Sequence, residues 1–189
     1  MSAYVQEICK VITLTIPLLV PGIALIVVLK MRLLRVLDIP LDLGFSVRGK
    51  RIFGDNKTYK GIFVMLSVAS ITTYVLYMAS NTCCPHFIDP IFMSTPLQIG
   101  LLYAFSYVLG ELINSFIKRQ LNIPEGVVLP SIRGIVQTFF DLSDGIMVTG
   151  FMLSIFTPVT TIRVFMACCV GLIFHYCTDL AMKKLRLKK

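Results

Sequence analysis

Residues 61–80 read GIFVMLSVASITTYVLYMAS, twenty positions without one Asp, Glu, Lys, Arg or His. At about 1.5 Å of rise per residue, a helix of that length spans roughly 30 Å, the thickness of a bilayer's hydrocarbon core. Comparable apolar runs lie to either side, at 11–29, 97–117, 134–156 and 159–181. The 189-residue chain is 56% hydrophobic and only 15% charged, with a mean hydropathy of +0.82, which leaves too little polar surface to solvate a globule. These features predict an all-α integral membrane protein of about five transmembrane helices, one membrane domain over residues 1–189. The first run has no small-residue cleavage site and is too long for a signal-peptide core, so it is expected to stay as a helix.

A net charge of +8 would suggest nucleic acid in a soluble protein, but in a membrane chain cations flank the cytoplasmic ends of helices. With the N-terminus outside, five spans put sixteen of the eighteen Lys and Arg residues inside and only Lys10 and Arg163 outside. The expectation is therefore a cytoplasmic C-terminus, cytoplasmic loops at about 31–60 and 118–133, a multi-pass place in the plasma or inner membrane, and no nucleic-acid partner. The tail MKKLRLKK, residues 182–189, is expected to touch anionic headgroups. Pro17 and Pro21 should kink the first run or leave backbone groups for neighbours to satisfy. Cys168, Cys169 and Cys177 read as small apolar residues of the fifth run. Cys83, Cys84 and His86 lack zinc spacing and read as a structural loop.

Among ten carboxylates, Glu7 and Asp89 fall outside, and Asp38, Asp42 and Glu125 fall in the inner loops away from any recognisable cluster. Glu111, Asp141, Asp144 and Asp179 lie near the inner ends of their runs, where an ionised carboxylate at membrane depth costs ~2.5–3.5 kcal/mol and marks a functional candidate. Asp141 and Asp144, three apart, share one helix face. Glu111, Asn114, Ser115 and Lys118 share another, and two such polar faces are expected to meet. Paired carboxylates beside phosphate are the usual magnesium arrangement, with lysines and arginines neutralising phosphate oxygens. The bland alternative is a helix-end anchor. It suits Asp179, one turn before Lys183, and suits Asp141 and Asp144 poorly, because no cation lies within a turn on their own helix.

The loop stretch GKRIFGDNKTYKG, residues 49–61, concentrates the remaining charge. Its cations taken singly are topology signals. Its Gly54-Asp55-Asn56-Lys57-Thr58 core, leading into a helix, also offers backbone N–H groups to an anion, though without P-loop spacing.

Together these stretches resemble the CDP-archaeol synthases, membrane cytidylyltransferases related to the phosphatidate cytidylyltransferases. GKRIFGDNKTYKG resembles the family's first cytoplasmic signature, GELINSFIKRQLNIPEG (residues 110–126) its second, and the paired aspartates of FFDLSDG (139–145) its third. The resemblance implies a five-helix membrane fold, CTP and a membrane lipid phosphate as substrates, and Mg²⁺ as cofactor. The products would be a CDP-lipid and pyrophosphate, for phospholipid biosynthesis. It assigns Asp141 and Asp144 to the metal with Glu111 assisting, and Asp141, Asp144, Lys118 and Lys57 to catalysis. Arg51, Asp55, Lys57, Thr58, Asn114, Ser115, Lys118 and Arg119 would bind nucleotide and phosphate. Asn56, Glu111, Gln120 and Gly145 depart from the usual glycine, aspartate, second arginine and aromatic. The tail chemistry of the lipid, ether or ester, and homodimerisation stay open.

Two other readings compete. DLSDG mimics the start of the CDP-alcohol phosphatidyltransferase motif, but Ile146, Met147, Val148 and Thr149 follow where that motif needs Ala-Arg. An ion- or proton-coupled transporter would use Glu111, Asp141 and Asp144 as a relay, but no inverted repeat is evident and the loop cations would have no role.

Overall fold

In the computed structural model, residues 3–185 are described. Arg186, Lys188 and Lys189 of the expected headgroup-binding tail lie outside them. Five helices account for most of the chain: α1 (Ala3–Lys30), α2 (Tyr59–Thr82), α3 (Pro96–Gln120), α4 (Ser131–Phe156) and α5 (Thr161–Lys184). All five are long and apolar enough to cross a membrane, as the apolar runs predict. Each packs on its neighbours in sequence, and α1 also packs on α5, so the bundle closes into a ring. The protein is a multi-pass membrane protein. Its outer surface carries large apolar side chains such as Phe63, Phe105, Phe151 and Phe165, while Thr73, Ser106, Ser143 and Thr149 are buried. That inversion suits lipid as solvent, where buried hydroxyls bond carbonyls a turn back, as Ser143 does to Phe139 and Thr149 to Gly145.

Pro17 and Pro21 sit inside α1 without ending it. A proline removes one N–H from the ladder and crowds the preceding turn. The Tyr103 hydroxyl, from α3, donates to the Leu14 carbonyl in that turn at 2.9 Å. That bond ties α3 to α1 beside the carbonyl of Thr13, the one that Pro17 leaves without its usual donor.

The helices reach further than the apolar runs. Lys118 and Arg119 are in the last turn of α3, so the second loop shrinks from the expected 118–133 to residues 121–130. The first loop, residues 31–58, contains a 3₁₀ turn (Arg35–Leu37) and a two-stranded hairpin, β1 (Ser46–Val47) with β2 (Lys50–Arg51). Arg48 and Gly49 turn it with positive φ at both positions, the geometry of a type I′ hairpin. Both loops emerge from the same end of the bundle. At the opposite end Arg163 binds Glu7 at 2.7 Å and reaches Asp89, whose carboxylate is buried and also caps the 3₁₀ turn Pro90–Met93. This tie joins α1, α5 and the α2–α3 connection.

Candidate active site

Two glycines set how near α3 and α4 can come. A Cβ on Gly110 would lie 2.7 Å from the Asp144 carbonyl carbon and 2.8 Å from Gly145 Cα. A Cβ on Gly145 would lie 2.6 Å from ring carbons of Tyr107. The family's usual aromatic after the aspartate pair therefore has no room here, because the Tyr107 ring from α3 packs against that position.

One turn beyond Gly110, the close approach brings Asn114 onto the aspartate pair. Its Nδ2 donates to Asp141 Oδ1 and to Asp144 Oδ2, each at 2.7 Å, so oxygens of two carboxylates converge on one nitrogen. Lys118, a further turn along α3, pairs with Asp141 at 2.7 Å. Lys57, from the first loop, pairs with Glu111 at 2.5 Å. Three carboxylates and two ammonium groups from α3, α4 and loop one thus stand at the end of the bundle where both loops emerge, all partly buried. Meeting of the two polar helix faces follows the expectation from spacing. Ser115 is the exception: it is buried and has no hydrogen bond to this cluster.

Hard-oxygen chemistry at Asp141 and Asp144 fits Mg²⁺, which is commonly held by one or two carboxylates plus substrate phosphates. Among the described residues no three His, Cys, Asp or Glu side chains stand together as a ready-made metal cluster. Glu111 is tied to Lys57 rather than joined to the aspartates.

The loop cations divide differently from the expectation. Arg51 binds Asp42 at 2.6 Å and Asp55 at 2.9 Å, and Arg119 donates to the carbonyls of Phe53 and Ile123. Lys50 donates to the Gln120 carbonyl at 2.5 Å. These three stitch loop one to itself and to the end of α3. Thr58 is the N-cap of α2, its hydroxyl accepting from Gly61 N. Gln120, in place of an arginine, leaves a buried side-chain nitrogen without a partner among the described residues. Asp179 pairs with Lys183 at 2.8 Å, the anchoring arrangement weighed above.

Asp42 and Glu125, expected to lie apart from any cluster, instead organise the loops. Asp42 is 5% exposed and accepts from Arg51 and from the backbone N–H groups of Gly44, Phe53 and Gly54. Burial pushes its pKa up, but the Arg51 bond and those three N–H groups outweigh it and hold the carboxyl well below the usual carboxylate range. Glu125 reaches across from loop two to the N–H groups of Asp55 (2.8 Å) and Asn56 (3.2 Å). Both contacts span many residues of sequence, and no local spacing announces them.

Sequence reasoning also passed over Tyr107 and His175. His175, on α5, bonds the Leu142 carbonyl through Nδ1 at 2.9 Å and stands 3.4 Å from the Tyr107 hydroxyl through Nε2. A carbonyl only accepts, so Nδ1 carries the proton in that contact. The pair braces α4 between the two aspartates and places Tyr107 one turn before Glu111. One histidine inside an apolar run carries no pattern by which to find it.

A family model described as CarS-like CDP-archaeol synthase matches residues 5–189. The chain belongs to the CDP-archaeol synthase family. Membership makes it a CTP-dependent cytidylyltransferase, an enzyme of the nucleotidyltransferase class that makes a CDP-lipid. The CDP-archaeol synthase of Pyrobaculum arsenaticum is 30% identical over 151 residues, 79% of this chain and 80% of that one. The same-named protein of Pyrobaculum aerophilum is 29% identical over 155 residues, with the same shares. Among solved structures, an intramembrane enzyme for archaeal membrane lipid biosynthesis shares the fold. Its TM-score is 0.53 at 19% identity, over 83% of this chain and 92% of that one.

Proposed function

We propose that this enzyme joins CTP to an archaeol-type lipid phosphate at the inner membrane surface, with the N-terminus outside and both loops in the cytoplasm. A lipid-phosphate oxygen attacks the α-phosphorus of CTP. The bond from that phosphorus to the oxygen bridging to the β-phosphate breaks, and pyrophosphate leaves. The attacking phosphate is already anionic, so the protein's task is alignment and charge neutralisation rather than proton removal.

The observation that carries this reading is the convergence of Asp141 and Asp144 on Asn114, with Lys118 and Lys57 beside them. The aspartates would hold Mg²⁺, which would supply charge stabilisation to the phosphates. Asn114 holds the two carboxylates together, and Lys118 pairs with Asp141. Lys118 and Lys57 would turn from their carboxylate partners to phosphate oxygens when substrates arrive. Arg51 and Arg119 serve the loop scaffold in this reading rather than gripping phosphate directly. Among the described residues, thirteen cations at the loop end against Lys10 and Arg163 at the other support the orientation, since both substrates are anions and both loops lie there. The relatives' name supports ether-linked isoprenoid tails.

The test uses purified enzyme in lipid nanodiscs with CTP, Mg²⁺ and a panel of ether- and ester-linked lipid phosphates. Pyrophosphate release is expected with the archaeol-type lipid and is expected to fall by about 10²-fold or more in Asp144→Asn. Full turnover by Asp144→Asn would remove the metal assignment, and release with ester lipids alone would overturn the tail assignment.

A further inference from the structure

We propose that the backbone N–H groups of Asp55 and Asn56 form a phosphate subsite that Glu125 fills in the free enzyme. An incoming CTP phosphate displaces Glu125 and opens the contact between the loops. This rests on the reading of loop one as a phosphate-binding loop and adds how access to it is controlled.

The Glu125 carboxylate uses one oxygen for each of two consecutive N–H groups, at 2.8 and 3.2 Å. Two adjacent amides pointing at one anion are what a backbone nest presents to a phosphate. Gly54, just before them, has φ +94°, and a Cβ there would lie 2.6 Å from Glu125 Cδ. The anion thus enters through a volume that any side chain would fill, and a glycine both adopts the left-handed backbone and leaves that volume clear. Among the described residues Glu125 has no ion-pair partner, so these amides are its recognised contacts. Lys57 and Arg51 flank the pair in sequence, Lys57 with its charged group on Glu111 and Arg51 on Asp42 and Asp55. A phosphate at the amides would meet a loop already rich in cations, whereas the singly charged Glu125 leaves those cations to other partners. A triphosphate therefore outcompetes it on charge.

Displacement need not unseat the whole second loop. Gln137, on α4, accepts from Leu129 N at 3.0 Å and donates to the Val127 carbonyl at 2.8 Å, which holds the far half of loop two in place. The near half, bearing Glu125, turns at Asn122 and Gly126, both with positive φ.

The test compares wild type, Glu125→Ala and Glu125→Gln as full-length protein in nanodiscs. Binding of CTP with Mg²⁺, and of pyrophosphate alone, is measured by calorimetry. Amide hydrogen exchange is followed over residues 53–58 and 121–130. Glu125→Ala is expected to bind both anions roughly three- to tenfold more tightly, since no bound carboxylate must leave. Glu125→Gln should fall between. In wild type, CTP should raise exchange over 121–130. Glu125→Ala should show that raised level without ligand and be protected by CTP over 53–58. Weaker or unchanged CTP binding in Glu125→Ala, or falling exchange over 121–130 when wild type binds CTP, would overturn the proposal and make Glu125 a permanent clasp. Either result with normal CDP-lipid formation leaves the proposed function standing. A wild type that neither binds CTP nor releases pyrophosphate sinks both.

Discussion

Replacing Gly110 by alanine tests the spacing on which the whole site depends. The new methyl group would meet backbone on α4, 2.7 Å from the Asp144 carbonyl carbon and 2.8 Å from Gly145 Cα. Such pairs settle at about 3.5–4.0 Å, so α3 and α4 must part by about 0.7–1.3 Å. Backbone cannot swing aside as a flexible side chain can, and the overpacking costs ~1–3 kcal/mol. Asn114 is one turn away and holds both aspartates at 2.7 Å. Stretched by that much, both contacts pass the limit of about 3.2 Å for a good N–H···O bond. A displacement of about 1 Å at reacting groups costs up to ~10²-fold in rate, so kcat should fall by roughly 10- to 100-fold. Gly100→Ala is the control. Its methyl would meet Ser70 Cα and the Thr73 hydroxyl at 2.6 Å on the α2–α3 contact, far along the helix from the site. It should lower the melting temperature comparably while the folded fraction turns over normally. Pyrophosphate release and thermal melting, measured on both variants, give the comparison. Wild-type turnover in Gly110→Ala, or equal loss of turnover in the two, would refute the claim that close helix approach assembles the site.

Two further outcomes are expected. Asp42→Asn should loosen loop one by about 1–3 kcal/mol, because Arg51 loses the nearer of its two carboxylate partners and three N–H groups lose a carboxylate. The folded pKa of Asp42 lies below the ordinary value of about 3.9, so the unfolded loop binds more protons. Its stabilisation is therefore complete above about pH 4 and fades as pH falls further. Melting curves from pH 7 to pH 3 should show that acid-dependent loss in wild type and not in Asp42→Asn, and identical profiles would count against it. His175→Ala should lower kcat about tenfold with the KM for CTP little changed, since His175 braces Leu142 and Tyr107 rather than substrate. Unchanged kcat, or a loss confined to KM, would mean that the histidine only fills space.

Membrane insertion, five helices and the mutual approach of the two polar faces are all written locally in the chain. They depend on runs of twenty apolar residues and on i, i+3, i+4 spacings, which α-helical geometry converts directly into faces. Asp141, Asp144, Asn114 and Lys118 could be assigned to one cluster for that reason. Ser115, at an equally suggestive spacing, is buried away from it. Rotation of a helix about its axis is decided by packing, here by Gly110 and Gly145.

The loops were less legible, because charge counts there report topology and function alike. Only the tertiary structure shows that Arg51 ties loop one to itself, that Arg119 joins the two loops, that Asp42 gathers three backbone N–H groups, and that Glu125 sits on Asp55 and Asn56. Apart from the Gly44 N–H, two positions from Asp42, and the Ile123 carbonyl, four from Arg119, these contacts join residues from 9 to 70 positions apart. The sequence by itself determined where the chain crosses the membrane and which carboxylates must find polar company, because lipid charges a local penalty for each. Which partner satisfies each carboxylate was left to the fold, since a side chain several ångströms long pairs with whatever the closed ring of helices brings within reach.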